Sequence, residues 1–172
     1  LLDETMPVRR VPLHVTDERL LGGLDLAATL KAGKPIAERG LLAEAHGGVM
    51  ILAGAERLEP GTIARITSAV DQGYVALARD SIGTGVPTTF GIIALDEGIS
   101  DDERVSAPLL DRLAFLIDLD VVTHRDAIIL EHVADDIRQA RANIQNVDVP
   151  DKMIVALCQT ALAMGIESLR AP

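Results

Sequence analysis

One stretch sets the strongest condition on how this chain can fold. It reads Gly40-Leu41-Leu42-Ala43-Glu44-Ala45-His46-Gly47-Gly48, passes into the apolar run Val49-Met50-Ile51-Leu52 and ends in Ala53-Gly54-Ala55-Glu56. A short amphipathic helix, a glycine turn and an uninterrupted apolar strand predict an α/β fold whose parallel sheet is covered on both faces, since a half-exposed strand would alternate polar and apolar residues. Such folds bind ligands in the crevice at the carboxyl ends of their strands. Attention therefore falls on the residues just after Leu52.

The chain has 172 residues, 48% of them hydrophobic, which is about one domain and enough for a substantial core. Its net charge of -10 argues against a nucleic-acid backbone as the main partner, because phosphate binding needs clustered Lys and Arg. A single cysteine, Cys158, excludes an internal disulfide and fits a reducing compartment. No apolar run approaches the roughly 18 residues that would span a bilayer, and the start does not read as a signal peptide. The opening Leu1-Leu2-Asp3-Glu4, without a methionine, leads us to expect a fragment of a longer protein.

Along the chain, Val11 to Val15 reads as a strand, and Thr16 caps a short helical turn that Gly22-Gly23 breaks. Leu26 to Lys31 reads as a helical turn ended by Gly33. Gly33-Lys34 does not form a phosphate-binding loop: that loop needs G-x-x-x-x-G-K followed by Ser or Thr, and here Ala28 stands at the first glycine and Pro35 follows the lysine. Pro60 opens a helix with Ile63, Ile66 and Val70 on one face, and Gly73 closes it. Tyr74 to Ala78 and Gly83 to Pro87 read as a hairpin with Asp80 to Gly85 at its turn. Phe90 to Leu95 is a strand followed by Asp96-Glu97, and Phe115 to Leu119 is another. Thr123 caps a long helix with Asp126 three residues on and with Leu130, Val133, Ile137, Ala140 and Ile144 as its apolar stripe. Asn146 to Pro150 is a linker. A last helix carries Ile154, Leu157, Cys158, Ala161 and Leu162 on one face, so Cys158 reads as a small core residue. His14, His46, His124 and His132 show no metal-ligand spacing.

Four stretches carry a resemblance to a known family. Gly40 to Gly48 with the strand behind it resembles the second nucleotide-binding segment of the AAA+ ATPases, in the branch that contains the magnesium chelatase I and D subunits. There the I subunit reads Gly-Leu-Leu-Ala-x-Ala-His-x-Gly, an apolar strand and Asp-Glu. This chain keeps the frame and lacks the acids, as the D subunit does. Thr16-Asp17-Glu18-Arg19-Leu20-Leu21-Gly22-Gly23-Leu24-Asp25 is similar to the family's Thr-Glu-Asp-Arg-x-x-Gly-x-x-Asp insertion. Ser106-Ala107-Pro108-Leu109-Leu110-Asp111-Arg112-Leu113 resembles Pro-x-Leu-Leu-Asp-Arg-Phe, and Gly165 to Arg170 resembles Gly-x-x-x-Leu-Arg. Together these span nearly the whole chain.

The resemblance implies an AAA+ type P-loop NTPase-like core over residues 1–145, without its phosphate-loop part, and the start of a helical lid over 146–172. It places Ala53 and Gly54 at degenerate Walker B positions, where an ATPase carries one acid for magnesium and one to orient water. Phe90 to Leu95 becomes the sensor 1 strand, lacking the usual Asn. Asp96 and Glu97 look locally like Walker B acids, but too few residues separate them from Pro108 to Arg112 for the intervening helix and strand; they read as loop acids, with metal binding as the alternative. Arg112 corresponds to an arginine finger supplied in trans, with an Asp111-Arg112 surface pair as the plain alternative, and Arg170 to sensor 2. No metal is assigned to a residue, and no cofactor is expected tightly bound, although the complex uses ATP and Mg2+. The implied function is a non-hydrolysing subunit that assembles with the I subunit and the porphyrin-binding H subunit to insert magnesium into protoporphyrin IX, in a bacterial cytoplasm or a plastid stroma. An integrin-I-like domain is expected in the intact protein. The alternatives are an active ATPase of the same branch, such as a MoxR-like chaperone whose acids are compensated elsewhere, or a purely structural interaction module.

Overall fold

The computed structural model describes residues 5–75, 85–100, 102–119, 122–123 and 133–166, apart from the side chains of residues 133, 134 and 145. Two compact units emerge, one of Glu4–Arg112 and one that takes in the chain from Leu113 onward. The first runs β1 (Val8–Val11), α1 (Asp17–Leu21), β2 (Gly22–Leu24), α2 (Leu26–Ala32), β3 (Ala37–Arg39), α3 (Leu41–Glu44), β4 (Val49–Ala53), a 3-10 turn at Ala55–Arg57, α4 (Pro60–Gln72), β5 (Tyr74–Val75), β6 (Val86–Pro87), β7 (Gly91–Leu95) and α5 (Ala107–Leu110). The second holds α6 (Val133–Asn143), a 3-10 turn at Ile144–Asn146 and α7 (Asp151–Ala163), so the expected lid start at residue 146 lies within it.

The apolar run Val49 to Leu52 does form the central strand. β4 pairs in parallel with β1 on one side and β7 on the other, with Met50 opposite Arg9 and Ile92, and Leu52 opposite Val11 and Ala94. That face is the packed one: Val11, Met50 and Leu52 are buried with Ile63, Ile66 and Ala69 of α4, Leu42 of α3 and Leu109 of α5. The side of the sheet that carries Val8, Ile93 and Leu95 is partly open, with Val8 and Ile93 each 42% exposed. Coverage on both faces is thus corrected for the described residues. An unbroken apolar run marks a central strand, whose second face is partly shielded by its neighbours' side chains, and says less about what lies above them.

Local signals placed most element ends correctly. Thr16 Oγ1 accepts the Arg19 N–H at 3.3 Å, Gly33 ends α2, Pro60 opens α4 and Gly73 closes it. Val49 N–H donates to the Pro7 carbonyl at 2.9 Å, and a Cβ on Gly48 would lie 1.9 Å from that oxygen, so β1 and β4 meet only because residue 48 is glycine. His46 is structural: its Nδ1 accepts the Thr89 N–H at 3.1 Å, tying the entry of β4 to the entry of β7. β5 and β6 pair antiparallel as a hairpin, while its turn lies outside the described residues, as do His124, Asp126, Leu130 and His132.

Three expectations are corrected. The first strand is Val8–Val11, not Val11 to Val15; Pro12 has no N–H to extend the ladder. Phe115 to Leu119 is not a strand, and its Phe115 and Leu116 are 83% and 90% exposed: among the described residues no strand pairs with it, and composition alone cannot supply a ladder. Cys158 is exposed, as are Ile154, Leu157 and Leu162 on the same helix, so the stripe read on α7 is not covered within the described residues.

Candidate functional site

The carboxyl end of β4 is reached at Ala53, which pairs with Leu95 at the end of β7. Gly54 then turns the chain with φ 63° and ψ 46°, a left-handed conformation that favours glycine. The turn brings Arg57 back over it: a Cβ on Gly54 would sit 2.6 Å from Arg57 Nη2. Arg57 Nη2 donates to Glu97 Oε2 at 2.8 Å, and its Nε stands 3.3 Å from Glu56 Oε1. The second oxygen, Glu56 Oε2, accepts the Glu97 N–H at 3.1 Å. Although Arg57 is half exposed, the Glu56 side chain is only 1% exposed, and its Oε1 has the ion pair but no aligned hydrogen bond.

Ala53 and Gly54 thus offer no acid, and Glu56 and Glu97, which meet beside the turn, are engaged by a guanidinium. Asp96 Oδ1 accepts the Gly98 N–H at 3.0 Å in its own loop. No group of three or more His, Cys, Asp or Glu side chains that could hold a metal occurs among the described residues. Glu56 and Glu97 are already paired with a fixed cation, which leaves them poor ligands for magnesium. Sequence reasoning passed over Glu56 and Arg57, whose only signal was their closeness to the strand end.

Arg112 lies just past α5, whose Leu109 is fully buried and anchors the segment. Its guanidinium forks onto Asp71 in the last turn of α4, Nε to Oδ1 at 3.0 Å and Nη2 to Oδ2 at 2.5 Å, while Nη1 donates to the Pro108 carbonyl. The hydrogen bond to Asp71 holds the Arg112 pKa above its ordinary value, against the opposing effect of burial. With side-chain exposures of 15% for Arg112 and 30% for Asp71, this is not a loose surface pair. The guanidinium's hydrogen bonds thus go to Asp71 and Pro108, while its sequence neighbour Asp111 acts on it through charge alone. A cavity of about 540 Å3 between α4 and α5 is lined by Arg112, Asp71, Glu56, Thr67 and Ser106 among others. Asp71 had no local signal to find it by. Arg170 lies outside the described residues.

No family model matches the chain. The magnesium-chelatase 60 kDa subunit of Cereibacter sphaeroides is 38% identical over 167 residues, 97% of this chain and 27% of the relative. The corresponding 60 kDa subunit of Rhodobacter capsulatus is 35% identical over the same shares. The 38 kDa magnesium-chelatase subunit of Cereibacter sphaeroides is more distant, 24% identical over 99% of this chain and 57% of the relative. Among solved structures, one of the complex between subunits BchI and BchD of magnesium chelatase aligns with a TM-score of 0.52 and 23% identity, over 84% of this chain and 52% of that chain, and shares the α/β AAA+ fold. The chain spans about a quarter of the length of the 60 kDa relatives it matches.

Proposed function

We propose, from the premise that this chain is a homologue of the magnesium-chelatase 60 and 67 kDa D subunits along nearly its whole length, that it is the non-hydrolysing AAA+ portion of such a subunit. In this reading it assembles with the 38 kDa I-type ATPase and with the porphyrin-binding H subunit. The assembly inserts magnesium into protoporphyrin IX at the expense of ATP in (bacterio)chlorophyll synthesis, in a bacterial cytoplasm or a plastid stroma. ATP and its magnesium would be held by the partner's site, with Arg112 reaching the partner's nucleotide and Arg170 acting as sensor 2. Among the described residues no helix is long and apolar enough to cross a membrane.

The observation that carries this reading is the chemistry at the end of β4, where Ala53-Gly54 stands in place of the two acids of an ATPase and Arg57 engages Glu56 and Glu97 beside them. Phosphoryl transfer is catalysed almost entirely by positioning and electrostatics, so loss of metal ligation and of water orientation together removes most of the acceleration. This observation also weighs against the compensated ATPase of the MoxR-like kind. The test uses the full-length protein, assayed for magnesium-dependent ATP hydrolysis alone and for chelation when mixed with I-type and H-type subunits. No turnover alone and restored chelation in the mixture are expected; turnover alone at ordinary ATPase rates overturns the reading.

A further inference from the structure

We infer that Asp71 is the positioning residue for Arg112: it fixes the guanidinium so that one N–H on each terminal nitrogen remains to receive an oxyanion. This rests on the reading that Arg112 serves a neighbouring subunit's phosphate. A guanidinium has five N–H donors in a rigid planar fork. Two of them are held by the Asp71 carboxylate and a third by the Pro108 carbonyl, which leaves one on Nη1 and one on Nη2. Nε and Nη2 spend one edge of the fork on Asp71, so an oxyanion would meet the remaining two at the Nη1–Nη2 end.

The scaffold behind the fork is stiff on both sides. Asp71 rides on α4, whose Ile63, Ile66 and Ala69 are buried in the core, and Arg112 follows α5 with its N–H on the Leu109 carbonyl at 3.0 Å. The position of Asp71 is costly for its own helix, because a negative side chain in the last turn opposes the helix dipole. The two-point contact with Arg112 offsets that cost, and the guanidinium so held lines the cavity between α4 and α5. Neutralisation by Asp71 weakens the long-range pull on an anion; in exchange the guanidinium keeps one orientation, which is what positional catalysis uses.

The experiment compares full-length wild type, Asp71→Asn, Asp71→Glu, Arg112→Lys, Arg112→Ala and the double variant D71N/R112K in the reconstituted chelatase, with melting curves alongside. Asp71→Asn leaves one oxygen where the fork needs two and sets an amide N–H against the guanidinium. We expect it to lower kcat about tenfold, less than the ~10³-fold that loss of a trans arginine can cost. The concentration of D-type protein that half-saturates the I-type subunit should stay unchanged. Asp71→Glu should restore part of the rate, and D71N should add no further loss in the R112K background, as befits two residues acting as a unit. Additive losses, or a D71N variant with wild-type kcat while Arg112→Ala is impaired, overturn the assignment of Asp71 alone. Wild-type activity in Arg112→Ala overturns the arginine-finger reading and this inference with it.

Discussion

At Gly54 a left-handed backbone, φ 63°, coincides with a guanidinium 2.6 Å from where a Cβ would stand. Gly54→Ala should therefore cost about 1–2 kcal/mol from the backbone alone, and more if Arg57 has to move. Arg57→Ala should cost more than the ~0–1 kcal/mol of an exposed ion pair, because it leaves a Glu56 side chain that is 1% exposed without its cation. Adding Glu56→Gln to Arg57→Ala should recover stability, since the buried charge is then removed. Urea unfolding of the single and double variants measures all three. A double variant less stable than Arg57→Ala would show that Glu56 owes nothing to its neighbour's charge.

Elements are tied to one another by charge as well as by packing. Glu44 at the end of α3 accepts from Arg9 of β1 at 2.9 Å and from Arg19 of α1 at 2.7 Å. The Arg19 hydrogen bond is the largest cause that holds the Glu44 carboxyl below its ordinary 4.5, with burial opposing it and Arg9 assisting. A depressed folded-state pKa stabilises the fold above the unfolded-state value, and the contribution is lost as pH falls through the folded-state value. Stability of wild type should thus fall more steeply than that of Glu44→Gln once pH drops below about 4.5, while the two curves run parallel at higher pH. Melting temperatures across pH 3 to 7, taken in steps of about half a unit, read this directly. Equal slopes below that point would remove Glu44 from the acid sensitivity.

Across the whole molecule the two units differ in how they treat apolar side chains. The unit of Glu4–Arg112 has a buried core that runs from Val11 to Leu109, whereas on α7 Met153, Leu157 and Leu162 are 57%, 59% and 74% exposed. Exposed apolar surface on that scale is unusual for a finished soluble surface. Cys158 on α7 reports on it: the thiol should react stoichiometrically with an aromatic disulfide reagent in native buffer, at a rate close to that in denaturant. Protection by about 100-fold, equivalent to local opening near 3 kcal/mol, would place that face of α7 in a covered environment.

What the sequence determined by itself is what neighbouring residues settle among themselves. Thr16 caps α1, Gly33 and Gly73 end α2 and α4, and Val49 to Leu52 forms the central strand, because caps, breaks and periodicity act within a few residues. The kinship with magnesium-chelatase D subunits was legible for the same reason: its motifs are short strings. Only the tertiary structure decided which distant groups meet. Asp71 and Arg112 are 41 residues apart, as are Glu56 and Glu97, and nothing in either local string names the other. Phe115 to Leu119 has the composition of a strand without a ladder, and Cys158 sits on a core-like stripe that the described residues leave open. Pairing, forks and burial depend on what arrives from elsewhere in the chain, and a linear pattern records only what each residue could do once it arrives.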